Sequence, residues 1–369
     1  MSLKQYFTSE SVTEGHPDKV CDYISDSVLD AYIAQDICSH VACEAMAKNN
    51  KVILAGEITS GGTVNLESVV RQAVRDIGYT DDSEPFSADT LQVITYLTEQ
   101  AREINTAVGQ TGASCPDLGA GDQGIMFGYA TDETRELMPL PILLAHRLAL
   151  GLADDRKSGR CPWLRPDGKT QVTILYDNGR PVEVSHIIIA AQHEKGIPRE
   201  KIHDYARQTL VPQSLGSWYH PGIQLIVNSS GSFVQGGPSA DCGLTGRKNI
   251  VDAYGGAVPH GGGALSGKDP SKVDRSAAYF CRYVARQAVL AGVAKKIEIQ
   301  VAYTIGQAEP LAIGLKCFGT GDETAAYDFV RGYSFRPAAI IEQLDLYQPI
   351  YRKTTNYGHF GRPGLPWEK

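Results

Sequence analysis

The run Gly255-Gly256-Ala257-Val258-Pro259-His260-Gly261-Gly262-Gly263-Ala264-Leu265-Ser266-Gly267-Lys268-Asp269 sets glycines against a lysine. Bare backbone amides beside an ammonium are a means of cradling phosphate oxygens. From Gly262 the run fits Gly-x-x-x-x-Gly-Lys, but Asp269 stands where a P-loop needs the hydroxyl that ligates magnesium, and no apolar strand leads into it. A P-loop-like phosphotransferase is thus a poor alternative, and the bland reading is a flexible surface loop. A second run, Gly119-Ala120-Gly121-Asp122-Gln123-Gly124 followed by Gly128-Tyr129, puts one carboxylate in backbone that can pass close to a ligand. Alone, it is a tight turn as often as a site. Arg165-Pro166-Asp167-Gly168-Lys169 and Arg247-Lys248 are short basic clusters suited to clamping phosphate.

Gly15-His16-Pro17-Asp18 opens a helix, since Val20, Ile24, Val28 and Tyr32 recur every four residues and Pro17 fits a first turn. Taken by themselves, His16 reads as a solvent-facing loop residue and Asp18 as a first-turn acid favoured by the helix dipole. Asp18, Asp22, Asp26 and Asp30 share the same spacing and read as a solvated face of that helix. Further along, 51–58 and 91–97 read as strands with a helix over 66–77 between them. The segment 171–192 is a hairpin around Asn178-Gly179, a step that suits a primed turn. Strands follow at 223–227 and 297–304, with a helix over 276–290 capped by Asp274. No strict βαβ alternation is present, so the class is α+β, with mixed or antiparallel sheets and helices on one face. No sequence repeat is visible, though a structural one can hide.

The chain has 369 residues and a formal net charge of -7, enough for two or three domains and contrary to a nucleic-acid or anionic-membrane partner. Its apolar stretch over 137–153 is broken by Pro139, Pro141, His146 and Arg147, so no transmembrane helix is expected. The N-terminus lacks a secretory pattern, and the scattered cysteines have no metal-ligand spacing. Both features point to a reducing cytoplasm.

In this order the segments resemble the S-adenosylmethionine synthetase family. The two glycine runs look like its signature motifs. Supporting stretches are 7–19, 56–59, 162–167, 241–248, 269–277 and 357–362. The resemblance implies three intertwined domains of similar topology, divided near 1–103, 104–236 and 237–369, in a homo-oligomer, dimer or dimer of dimers, with active sites at the dimer interface. It implies synthesis of S-adenosylmethionine from ATP and L-methionine by sulfur attack on carbon 5′, then hydrolysis of tripolyphosphate. A catalytically silent member acting as a binding subunit is the other alternative. His16, Lys169, Asp122 and Lys268 would be catalytic. Asp18 and Asp274 would ligate magnesium, two ions per site, and Glu44 potassium. ATP would meet His16, Asp167, Lys169, Ser232, Phe233, Asp241, Arg247, Lys248, Ala264 and Lys268; methionine would meet Glu57, Gln100, Asp241 and Lys272. Leu265, Ser229, Ser232 and the 100–104 loop depart from the family pattern.

Overall fold

The structure is a computed structural model that describes residues 3–99 and 118–369. Three sheets carry the chain. In the first, β2 (His40–Lys48) and β3 (Lys51–Thr59) form an antiparallel hairpin, and β4 (Gln92–Thr98) lies parallel to β3. Helix α1 (Pro17–Ile33) packs on β2, and α2 (Leu66–Ile77) packs on α1. The ends of α2 follow local chemistry: the Asn65 side chain accepts the Ser68 N–H, and Gly78 closes the helix at φ 111°. In the second sheet, β6 (Leu164–Asp177) and β7 (Arg180–His193) form a hairpin, with β8 (Gln224–Val227) parallel to β7 and α3 (Leu140–Lys157) beneath. Its turn has φ 49° at Asn178 and 75° at Gly179, the left-handed pair that a two-residue primed turn requires. In the third, β10 (Lys296–Tyr303) and β11 (Ala312–Lys316) form the hairpin over a long helix, Val273–Leu290.

Each sheet also takes one strand from elsewhere in the chain. The N-terminal β1 (Lys4–Val12) pairs with β6, β5 (Gly124–Thr131) pairs with β10, and the short β9 (Gly243–Leu244) pairs with β2, all antiparallel. Every lent strand meets the first strand of the host hairpin, and the exchange runs in a ring. This is the repeat that residue identities conceal: long helix, hairpin, shorter helices, and in two of the three units a closing parallel strand. The fold is α+β with mixed and antiparallel sheets, as the order of elements led one to expect.

Two readings need correction. The long helix begins at Val273 with Lys272 at its cap position, so Asp274 lies inside the first turn and does not cap it. The acidic stripe of α1 is not solvated. Asp18, Asp22 and Asp26 are at most 2 % exposed, because the C-terminal third of the chain covers that face. Asp22 accepts the Gly246 N–H at 2.8 Å, Asp26 the Gly267 N–H at 2.8 Å, and Asp30 the N–H groups of Tyr351 and Arg352 at 3.0 and 2.9 Å. One carboxylate per turn thus satisfies backbone donors that burial would otherwise leave unpaired.

Candidate active site

The Gly15-His16-Pro17 turn is pressed between two units. A Cβ on Gly15 would fall 2.3 Å from the Pro166 carbonyl carbon, and Tyr79 donates its hydroxyl to Gly15 O at 2.6 Å. His16 is 3 % exposed, which overturns its reading as a solvent-facing loop residue. Its Nδ1 accepts the Asp18 N–H at 3.2 Å. A neutral ring with Nδ1 so used carries its proton on Nε2. Burial, helped by the charges of Lys248 and Lys169, pushes the pKa of His16 down to about 3. The ring is therefore a neutral hydrogen-bond donor at physiological pH.

Two residues on, Asp18 receives Lys248 Nζ at 2.6 Å and the Leu244 N–H at 3.1 Å, with Arg247 Nε at 3.8 Å. Burial works against its charge, but the hydrogen bonds of Lys248 and Leu244 prevail and hold its pKa below the usual carboxylate value. Lys169 lies across from Val12 in the β1–β6 ladder and is close enough to act on His16.

The edge of β2 lines up two loops, 243–248 and 261–269. Gly243 and Leu244 pair with Ala47 and Met46, and the Thr245 N–H reaches Ala45 O. Further along the same edge, the Cys43 N–H reaches Gly267 O, Lys268 bridges to Ala42, and the Asp269 N–H reaches Val41 O. The glycine loop is therefore bound backbone to backbone, unlike a flexible surface loop. Gly261 and Gly263 are required by contact: a Cβ on Gly261 would lie 1.7 Å from Ile125 O, and one on Gly263 would strike the Asp274 carboxylate. Asp269, where a P-loop has its hydroxyl, accepts the Val41 N–H at 2.7 Å and Lys272 Nζ at 2.5 Å. It staples the loop to β2, and with that the P-loop reading loses its support.

Lys268 pairs with Asp274 at 2.5 Å. Beside it a cavity of about 270 Å³ is lined by Ala42, Glu44, Glu57, Ser266 and Lys268 among others. A Cβ on Gly246 would meet that of Ala264, so the Arg247-Lys248 loop touches the glycine loop directly. The run 119–124 joins from the other side, with the Gly121 N–H on Ser271 O at 3.2 Å. Asp122 is exposed and accepts the Gln123 N–H at 2.7 Å. On the second sheet, the Asp167 pKa is pushed up to about 6, first by burial, and Asp241 adds to this; the Asp167 Oδ2 accepts the Gly237 N–H at 2.8 Å. Phe233 is half-buried and Ser232 exposed on the loop after β8. Gln100 falls outside the described residues.

The structure thus gathers His16, Asp18, Lys169, Arg247 and Lys248 into one cluster and Lys268, Asp274, Glu44 and Glu57 into a second that adjoins it. Lys272 is turned into the base of the loop, against Asp269. Sequence reasoning missed the anchoring function of Asp22 and Asp26; their four-residue spacing was the signal, and the face it marks was taken for the wet one.

Family models for S-adenosylmethionine synthetase match the chain in three consecutive stretches: the N-terminal domain over 4–102, the central domain over 117–233 and the C-terminal domain over 235–369. The chain belongs to the S-adenosylmethionine synthetase family. Relatives named S-adenosylmethionine synthase agree along the full length of the chain. The Thermus thermophilus protein is 50% identical, over 100% of this chain and 97% of the relative. That of Sorangium cellulosum is 50% identical over 100% and 88%, and that of Akkermansia muciniphila 51% identical over 98% and 94%. The two glycine runs lie beside exchanged strands: 119–124 leads into β5, and 261–269 shares the edge of β2 with β9. Among the described residues, no helix is long and apolar enough to cross a membrane.

Proposed function

We propose that the chain makes S-adenosylmethionine from ATP and L-methionine, with phosphate and pyrophosphate as the other products. The observation that carries this reading is the buried His16, its Nδ1 tied to the Asp18 N–H, within the field of Lys248 and Lys169. Methionine's thioether has no proton to lose, so its attack on carbon 5′ calls for no general base. The sulfur lone pair forms the S–C5′ bond, and the electrons of the C5′–O bond leave with the triphosphate. The step needs donors aimed at that oxygen. The Nε2–H of His16 supplies one, and Lys169, Arg247, Lys248 and Lys268 supply positive charge along the polyphosphate. Water then cleaves tripolyphosphate against the same cations.

Phe233 stacks on adenine, with Asp167, Ser232, Asp241 and Ala264 around the nucleoside and phosphates. Methionine is assigned to Glu57, to Asp241, to Lys272 once it is released from Asp269, and to Gln100, which lies outside the described residues; Asp122 is assigned to the junction of the two substrates. Asp18 and Asp274 suit two magnesium ions per site. Each stands singly beside a lysine, and magnesium is commonly held by one or two carboxylates with phosphate oxygens completing its shell. Bound there, magnesium would neutralise the departing charge. Glu44, exposed on the cavity wall, suits potassium. The free thiols Cys21, Cys43, Cys161, Cys242, Cys281 and Cys317 are in keeping with a cytoplasmic location. The linear division proposed for the chain is 1–103, 104–236 and 237–369, and the family-model ranges 4–102, 117–233 and 235–369 are what supports it.

Incubation with ATP, methionine, magnesium and potassium, followed by mass analysis, is expected to give a sulfonium adduct with phosphate and pyrophosphate. ADP as product would overturn the reading. Exhaustive chelation should abolish turnover, and undiminished turnover would remove the metals from it.

The assembly we propose is a homo-oligomer, a dimer or dimer of dimers with its sites at the dimer interface. On the sheet faces turned away from the long helices, Met46, Ile125 and Ile226 are 37 %, 44 % and 38 % exposed, apolar groups suited to a partner subunit. Sedimentation under assay conditions should show no active monomer, and a fully active monomer would contradict the proposal.

A further inference from the structure

The loop that leaves β8 is pinned to the end of β7 at successive residues. Asn228 mimics a strand partner: its N–H reaches Ile189 O at 2.9 Å, and its side-chain amide exchanges bonds with Ala191 N and O at 2.8 and 3.1 Å. At the other end of the loop, the Gln192 side chain joins the Asp167 N–H (3.1 Å) to Val234 O (3.0 Å). Beside it, His193 grips Phe233 twice. The His193 N–H donates to Phe233 O at 3.0 Å, and the Phe233 N–H donates to His193 Nε2 at 3.1 Å. His193 Nδ1 lies 2.9 Å from Glu194 O. A carbonyl only accepts, so Nδ1 carries the proton and Nε2 is left as the acceptor that Phe233 needs. The ring is 3 % exposed, so water does not compete for this bond. Between the pins, Ser229 and Ser230 are exposed.

We propose that His193 is a positioning residue for the nucleotide base, holding Phe233 at the angle at which it stacks on adenine and acting on ATP only through it. The proposal rests on the reading of Phe233 given above. A stack of this kind is present equally before and during the chemical step, so its loss raises KM and leaves kcat. Tripolyphosphate has no base, so its hydrolysis does not involve Phe233 at all. This separates positioning of the base from general support of the fold, which would move both activities.

The test compares His193→Asn with His193→Gln in the full-length protein. Asn keeps a donor near the place of Nδ1 but reaches no further, whereas Gln puts a carbonyl oxygen near the place of Nε2. For His193→Asn, KM for ATP should rise about tenfold or more, the scale of one base stacked on an aromatic ring. Its kcat should stay within about twofold, with KM for methionine and hydrolysis of added tripolyphosphate unchanged. His193→Gln should restore most of the ATP affinity. An unchanged KM for ATP in His193→Asn, a parallel fall in tripolyphosphate hydrolysis, or a folded His193→Gln as weak as Asn would each overturn the proposal. A wild-type protein that forms no sulfonium adduct would instead defeat the underlying function, before any variant is compared.

Discussion

His16→Asn will cut sulfonium formation at least about a hundredfold, the scale of losing one preorganised donor, while hydrolysis of added tripolyphosphate survives to a substantial degree. The asymmetry follows from what His16 is in the folded protein. It carries no charge at working pH, since burial and two lysines push its pKa down to about 3. It therefore contributes little to holding a polyanion. What it has is one N–H, fixed in direction because its other nitrogen is tied to the Asp18 N–H. Such a donor matters where charge develops on a single oxygen, and that happens when the C5′–O bond breaks. Attack of water on tripolyphosphate spreads charge over several oxygens, which fixed cations serve better. Lys268→Ala should therefore lower both activities, because its ammonium belongs to the polyphosphate cradle. Both rates come from one preparation, which controls for misfolding. Equal loss of the two in a folded His16→Asn protein would show that His16 serves the polyphosphate generally.

Asp26→Ala should destabilise the protein by about 3–5 kcal/mol, the usual cost of leaving one member of a buried ion pair without its partner. Asp26 and Arg275 are both 0 % exposed and meet through paired bonds of 2.7 and 2.9 Å. Burial disfavours the Arg275 charge, but Asp26 overrides this and raises its pKa, so an Arg275 without Asp26 remains a charge in a dry interior. The loss extends beyond the pair. Asp26 also accepts Gly267 N–H and the Thr355 hydroxyl, and Arg275 donates to Lys268 O at 3.1 Å. Both backbone neighbours of the Lys268 side chain are thus held by one ion pair. Denaturant unfolding at fixed protomer concentration measures the effect. A loss under about 1 kcal/mol, the scale of an exposed pair, would show that the acidic face of α1 does not anchor the loops.

Local patterns in the sequence were legible where the cause was local. The helix over 66–77 has its Asn and Gly caps written beside it, and the 171–192 hairpin has Asn-Gly at its turn. The four-residue spacing of Val20, Ile24 and Val28 gave α1 its buried apolar side. The same spacing of its aspartates could not say that this side too is covered, because the groups that cover it come from residues 244–275 and 351–355. Period reports which residues share a face; the fold decides what meets it. Asp269 was legible only as a misfit to the P-loop, since its partner, the Val41 N–H, is remote in sequence. His16 gave no signal of its own for the same reason: Lys169 and Lys248 surround it only after three units have come together. The strand at Gly243–Leu244 is too short for alternation to mark, yet it places Lys248.

The ring of exchanged strands also sets a timetable for synthesis. Strands β2 to β4 are complete once Thr98 has been made, but the edge of β2 is covered only when Gly243 and Leu244 arrive. At ~5–20 residues per second that edge waits on the order of ten seconds beside a growing chain, with its backbone donors and acceptors open. The N-terminal strand waits in turn for Leu164–Asp177, and β5 for Lys296–Tyr303. No unit can be finished from its own stretch of message. A chain released before residue 243 would hold the second sheet entire, the first with the edge of β2 still bare, and of the third only β5.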